Sequence, residues 1–321
     1  MSLFLTSLVL SVLAAFWVWM AGRRDPLGTP WLTTLCLVLL VALPALALMP
    51  KVNFQVLHSG FAGDGGSGAV PWGWMFWLAG IVLMGARLFW NHWVLSQWMN
   101  DSTEAKGWSP CLNECAQMMG LQKIPGIRVK VGLLSPVVAG VFRPVILVPA
   151  ATKNWGQQTR KMVILHEMGH MKRKDLWLRL AADVACALHW YNPLVWWLRV
   201  KLLVQCEYAC DAAVVAAGAD RRSYISALCD VVEGAVTESR PQGVLAMADH
   251  APLRSRVERL LGGVNVGRSW LAVFAAALTI ATALGLSLIR AVEKNDFSGD
   301  DKESINREVA LRYRANPFPG N

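Results

Sequence analysis

His166-Glu167-Met168-Gly169-His170 gathers, within five residues, the groups that a hydrolytic metal centre needs. On a helix, residues four apart lie on one face, so both imidazoles can reach a single ion while Glu167 stands beside them. This is the H-E-x-x-H zinc signature. Such a match also arises by chance, on a helix whose polar face happens to carry two histidines and an acid, so the rest of the chain has to decide. A second pair of acids, Glu207 and Asp211, is again spaced by four and lies within Glu207-Tyr208-Ala209-Cys210-Asp211. Glu207 fits the third ligand of a catalytic zinc site, since two His and one Glu leave the fourth position open for water. Asp211 fits a supporting role, accepting the other ring N–H of a ligating histidine. Two exposed acids on a helix are the plainer alternative, but the positions between them are apolar. Glu167 is not needed as a ligand, which suits it to general base work. For stabilising an oxyanion, Tyr208, Tyr224, His250 and Arg256 are candidates of equal standing.

The elements that would hold these groups belong to a membrane protein. Of 321 residues 55% are hydrophobic and 17% charged, with 16 Trp, where a soluble domain carries about a quarter charged residues. The net charge of +9 does not indicate nucleic acid, because no basic run is interleaved with aromatics as a strand-binding groove requires. Residues 3–20 form an apolar run ending in Phe16, Trp17 and Trp19, with Arg23 and Arg24 directly after it. An uncharged start with the basic pair behind it differs from a secretory signal and predicts a first span with the N-terminus outside. Residues 31–49 return the chain outward, and 71–90 cross again, with Trp at both ends. Between them lies an outer loop, 50–70, whose glycines at 60–68 read as a flexible segment and not as a phosphate cradle, since no Lys-Ser/Thr pair opens a helix after them. Arg87 is expected to snorkel to the headgroups.

From residue 96 to 268 the chain turns mixed and basic, with 21 Lys or Arg against 14 Asp or Glu, which places this domain on the cytoplasmic side. A fourth span is expected at 269–290, followed by a short outer tail, 291–321. Six of the seven cysteines fall in the inner domain and are expected to be reduced; Cys111 and Cys115 read as buried thiols, not as half of a metal site. Within the domain a helix is expected over 102–119 and short strands over 127–134, 137–142 and 145–148, forming a small antiparallel sheet beside the zinc helix, itself an amphipathic run over 159–174. Such a sheet can present an edge to an extended peptide, or merely complete the core. Two apolar arms, 176–188 and 194–204, are too short and too charged to cross a membrane and read as a hairpin turning at Asn192-Pro193, lying on the inner leaflet or on the other helices. A further helix then carries Glu207.

The order of three spans, H-E-M-G-H-M-K-R-K-D-L at 166–176, H-W-Y-N-P-L-V-W-W at 189–197, E-Y-A-C-D at 207–211 and a fourth span resembles the BlaR/MecR membrane metallopeptidases. The strand pattern from Ser135-Pro136 to Val148-Pro149 is similar as well. A weaker similarity reaches the HtpX and CAAX-protease group, whose E-x-x-A-D helix is matched by Glu207 and Asp211. The resemblance implies an α-helical integral membrane protein of four transmembrane helices, with a mainly helical α+β gluzincin-like domain between the third and fourth. It implies one catalytic Zn2+ on His166, His170 and Glu207, with Glu167 catalytic, and endopeptidase activity at the cytoplasmic face. The partners it implies are a protein or peptide substrate, such as a BlaI-type transcriptional repressor or the protein itself, and the lipid bilayer, with a homodimer open. Residues 236–251 would be the place for self-cleavage. The BlaR/MecR receptors carry a penicillin-binding sensor with an S-x-x-K serine after the last span. The tail here holds no such motif, so direct beta-lactam sensing is not expected. Quality-control proteolysis of the HtpX kind, and a scaffold with a structural zinc, are the alternative readings.

Overall fold

The computed structural model describes residues 3–24, 30–46, 52–56, 72–238, 253–262, 274, 277–282, 289–293 and 307. Three apolar helices come first: α1 (Leu3–Arg24), α2 (Pro30–Leu46) and, after a strand β1 (Val52–Val56), α3 (Trp72–Asn100). Of these α3 alone is both long and apolar enough to cross a membrane by itself, and its apolar stretch is almost wholly exposed. The apolar cores of the other two, Leu5–Ala21 and Pro30–Pro44, are shorter. The helix α3 also continues ten residues past the expected end of the third span, carrying the chain directly to the sheet.

A strand β2 (Thr103–Glu104) and a turn at Gly107 occupy the start of the expected 102–119 helix, and α4 (Ser109–Met119) begins only where Pro110 presets the first turn. The strands β3 (Gly126–Lys130), β4 (Val137–Ala139) and β5 (Val145–Pro149) follow. β3 and β4 are shorter than the sequence pattern suggested because Gly132 and Gly140 take positive φ and turn the chain, whereas β5 matches its expected run to within a residue. The four-stranded sheet has the order β2-β3-β5-β4. It is mixed, not antiparallel: β3 and β5 run parallel, with Ile127 opposite Ile146, while β4 pairs antiparallel on the outside of β5. The chain after β3 swings out to the sheet edge before returning, a connection that hydrophobic alternation does not encode.

The helix α5 (Gln157–Arg173) carries the zinc motif, and α6 (Asp175–Leu188), α7 (Pro193–Ala216), α8 (Arg221–Glu238) and α9 (Leu253–Gly262) complete the helical set. α5 is not two-faced: Met162 to Gly169 are all buried, so the motif lies in the interior. The second hairpin arm and the Glu207 helix are one continuous 24-residue helix, α7. It starts where Pro193 sits at the first position and the Asn192 side chain accepts from the Leu194 N–H at 3.1 Å.

Two hydrophobic cores result, and α7 runs through both. The first joins α1, α2, α6 and the first half of α7, so the hairpin packs against the apolar helices. Its tip sits deep among them. His189 Nδ1 accepts from Ser7 Oγ at 2.9 Å, Asn192 donates to Ser11 Oγ at 2.9 Å, and Trp77 Nε1 donates to the Leu188 carbonyl at 3.0 Å. His189 Nε2 donates to the Leu40 carbonyl at 2.9 Å. Pro44 lies four residues after Leu40 inside α2 and has no N–H, so the helix leaves that carbonyl without its usual donor; the hairpin supplies one. The second core joins α4, the sheet, α5, the end of α7, α8 and α9.

A last strand, β6 (Ile289–Glu293), pairs in parallel with β1, setting the segment after the expected fourth span beside the loop after α2. Of that fourth span, 277–282 is helical and Phe274 stands edge-on to Trp17 at 6.4 Å. The rest of it, like the tail beyond Glu293 other than Arg307, lies outside the described residues.

Candidate metal centre

The structure brings His166, His170 and Glu207 to one point, from α5 and α7. His166 Nε2 stands 3.3 Å from Glu207 Oε2, His170 Nε2 is 3.5 Å from Glu207 Oε1, and the two Nε2 atoms are 3.3 Å apart. Ligands held about 2.0–2.1 Å from a tetrahedral zinc stand about 3.3–3.4 Å from one another, so the two Nε2 atoms already have that spacing, and the Glu207 carboxylate offers one oxygen to each of them at about the same distance. Their other ring nitrogens are occupied. His170 Nδ1 lies 2.9 Å from Asp175 Oδ2, and His166 Nδ1 lies 2.9 Å from the Tyr224 hydroxyl, which donates to Asp211 Oδ1 at 2.6 Å. With both protons drawn to Nδ1, each Nε2 presents a lone pair to the same place, which is what a shared cation requires. The residues fit a zinc ion.

Gly169 lets the two helices approach this closely, because a Cβ there would stand 3.4 Å from Cys210 Sγ on α7. Glu167 is buried beside the ligands, and among the described residues its carboxylate makes no hydrogen bond or ion pair. Burial disfavours charge on Glu207, but with the imidazoles protonated the hydrogen bond from His166 and the charges of His170, His166 and Arg256 outweigh it and hold the carboxyl well below the usual carboxylate range. It stays an anionic ligand.

Asp211 receives two hydrogen bonds from Arg256 of α9, at 2.9 and 2.6 Å, and Arg256 also lies 3.4 Å from Glu207. An uninterrupted chain thus runs from Arg256 through Asp211 and Tyr224 to His166. Tyr224 and Arg256, both oxyanion candidates in the sequence, have their polar atoms turned to Asp211 in this arrangement. Tyr208 points elsewhere: its hydroxyl donates to Ser255 at 3.0 Å and the Arg259 guanidinium covers its ring at 3.9 Å, tying α9 to α7. His250 and most of the 236–251 stretch lie outside the described residues.

Asp175 escaped the sequence reading. The helix α5 ends at Lys174, a non-glycine residue in left-handed conformation, and α6 starts with Asp175 one residue later. That sharp corner folds the Asp175 carboxylate back under His170. The one signal for it in the sequence is the basic run Lys172-Arg173-Lys174 closed by Asp175, an acid suited to open a following helix. Cys210 also reaches His170 Nδ1, at 3.2 Å, but burial pushes its thiol well above the ordinary range, so Asp175 and Cys210 read as support for His170 and not as a second metal site. Cys111 and Cys115 are free thiols 3.9 Å apart on α4.

A buried His-His-Glu set on two packed helices, with an unengaged glutamate beside it and apolar helices alongside, defines the metallopeptidase class of site. The chain belongs to the BlaR1 peptidase M56 family, whose profile matches residues 65–260, covering α3, the sheet, α4 to α8 and most of α9. Over 81 residues it is 37% identical to the Regulatory protein BlaR1 of Bacillus licheniformis. That stretch is 25% of this chain and 14% of the relative, so the similarity spans a small part of the larger protein.

Proposed function

We propose that this protein is a membrane-embedded zinc endopeptidase that cuts peptide bonds at the cytoplasmic face, in regulatory proteolysis. The observation that carries it is the gathering of the two Nε2 atoms around the Glu207 carboxylate, with the Glu167 carboxylate next to them and unengaged among the described residues. In this reading His166, His170 and Glu207 hold the ion, and a zinc bound there supplies Lewis acidity to a water and to the scissile carbonyl. Glu167 takes the proton of the attacking water and hands it to the leaving amine. Asp175 and the Tyr224–Asp211–Arg256 chain fix the two imidazoles so that neither has to reorient during turnover. The edge strand β4, open on its outer side and packed near α5, suits an extended substrate that adds main-chain hydrogen bonds to the sheet.

Placement follows the same logic. The domain division at 95/96, the inner location of the basic domain and the outer N-terminus rest on the charge asymmetry of the sequence. Family membership and the BlaR1 relative favour a repressor of BlaI type, or the chain itself, as substrate over general quality control. The test is a comparison of new protein N-termini in cells making the wild type or Glu167→Gln at equal levels, with zinc content measured on both. The variant is expected to keep its zinc and lose about 10²- to 10⁴-fold in cleavage rate. Equal sets of termini from two zinc-loaded proteins would overturn the reading.

A further inference from the structure

The turn between β4 and β5 carries Phe142, which is 85% exposed and stacks edge-on, at 5.2 Å, against Trp177 in the first turn of α6. Trp177 is itself 44% exposed. Two large aromatics thus face outward together, from the sheet and from the root of the hairpin. Arg143 and Lys174, both exposed, follow and precede them in the chain.

Their depth can be read from the helices. Leu188, at the far end of α6, is hydrogen-bonded to Trp77, five residues into α3, and Trp190 packs where Gly80 leaves room for its ring. At 1.5 Å per residue Trp77 is about 8 Å from the start of α3, and Trp177, eleven residues back along α6, is about 16 Å further on. That is about 24 Å into a hydrocarbon layer about 30 Å thick, close to its inner boundary. Gly140 faces the sulfur of Met99, about 40 Å along α3 and so beyond that boundary, and two residues later the turn reaches back to set Phe142 against Trp177. The turn therefore crosses the headgroup layer, in line with the exposed Trp90 and Trp93 of α3, whose rings stack at 5.0 Å.

From this placement we infer that Phe142 and Trp177, flanked by Arg143 and Lys174, form a seat that dips into the inner leaflet and holds the sheet against the membrane surface. Aromatic rings at the headgroup boundary with cations beside them match an anionic lipid interface in both polarity and charge. The seat lies next to α3, which touches both β4 and α6, and it sets the edge strand β4 and the metal centre within reach of a chain emerging from the bilayer. The inference rests on the membrane reading above.

The experiment uses the full-length protein in nanodiscs of phosphatidylcholine and phosphatidylglycerol, with benzoyl-phenylalanine placed at Phe142, at Val82 or at Val131, and mass spectrometry of the photoadducts. Val82 lies on the exposed side of α3 and reports the membrane itself. Val131 is 80% exposed but follows Lys130, which is held to Asp101 just beyond α3, well below the boundary. Lipid adducts are expected at Val82 and Phe142, at least about tenfold above Val131. Lipid at Val82 but none at Phe142 overturns the seat and leaves the membrane reading standing. Adducts from Phe142 to a second copy of the chain overturn it in favour of a protein interface. No lipid at Val82 overturns both.

Discussion

The two cores bury polar groups of opposite kinds. In the bundle of α1, α2, α6 and the first half of α7, the buried polar side chains include Ser7, Ser11, Thr33, His189, Asn192 and Gln205, groups that pair as neutral donors and acceptors. Around the metal centre they are His166, Glu167, His170, Asp175, Glu207, Asp211 and Arg256, nearly all charged or metal-ligating. One helix serves both regimes, since Gln205 faces the bundle and Glu207, two residues on, faces the ion. Neutral pairs can be buried at small cost and serve to fix how helices sit together. Buried charges cost several kcal/mol each unless paired, and are kept where chemistry needs them. The difference predicts that mutations in the two cores fail in different ways.

The largest effect belongs to the ligands. Glu207→Ala or His170→Ala should drop bound zinc from about one ion per chain to below about a tenth, and abolish cleavage, because the remaining donors no longer close a site. Metal analysis of purified protein reads this directly. Retention of a full equivalent of zinc in Glu207→Ala would show that another group completes the site and would break the division between the cores.

Next comes the pair of Asp211 and Arg256. Asp211→Ala strands a buried guanidinium and should destabilise the protein by about 3–5 kcal/mol. In the double variant Asp211→Ala, Arg256→Met both charges leave together, and most of that loss should return. Zinc affinity should nevertheless stay about 10–100-fold weaker in both, since Tyr224 loses the acceptor that orients it toward His166. Stability measured by denaturation and zinc affinity by competition with a chelator then separate the packing of the charges from their service to the metal. If affinity recovers along with stability, the chain from Arg256 to His166 is structural only.

How far the sequence revealed this division depends on what kind of signal each residue carries. His166, Glu167, His170, Glu207 and Asp211 were legible because helical spacing places chemistry-bearing groups on one face whatever surrounds them. Asp175 was not, since its role depends on a corner at Lys174 that no propensity announces. The helices α5 and α7 were foreseen, but α7 was read as two because the apolar run of the second arm stops at Val204 and nothing in that pattern carries it on to Glu207. Three of the four strands were foreseen, β2 having been read as the start of a helix, but not the parallel pairing of β3 with β5, which is a property of chain path and not of alternation. The bundle contacts of His189 and Asn192 carried no sequence signal at all. One of them, from His189 Nε2 to the Leu40 carbonyl, replaces the donor that Pro44 withholds about 150 residues away.

That dependence can be tested by restoring the donor. His189→Leu leaves the Leu40 carbonyl unpaired in an apolar bundle and should cost about 1–3 kcal/mol. Pro44→Ala supplies a backbone N–H to the same carbonyl, so it should help more in the His189→Leu background than in the wild type, by at least about 1 kcal/mol. Unfolding of the detergent-solubilised protein gives the four values of this cycle. Additive effects would mean that His189 and Pro44 do not share that carbonyl.

The smallest effect should come from Thr33, whose hydroxyl donates to Gln205 Oε1 at 2.8 Å and joins α2 to α7 one turn from the metal centre. Measured interhelical hydrogen bonds of this kind average about 0.6 kcal/mol, and Thr33→Val should cost no more. The test lies in what else changes. If neutral bundle contacts only position helices, Thr33→Val leaves zinc affinity and the cleavage rate within about twofold of the wild type, because Glu207 is held on its other side by Arg256 and by both histidines. A tenfold loss of zinc affinity from so small a loss of stability would mean that α2 sets the pose of Glu207. The boundary between the two cores would then lie within α2, and the chain after Pro44, including β1, would have a mechanical route to the metal.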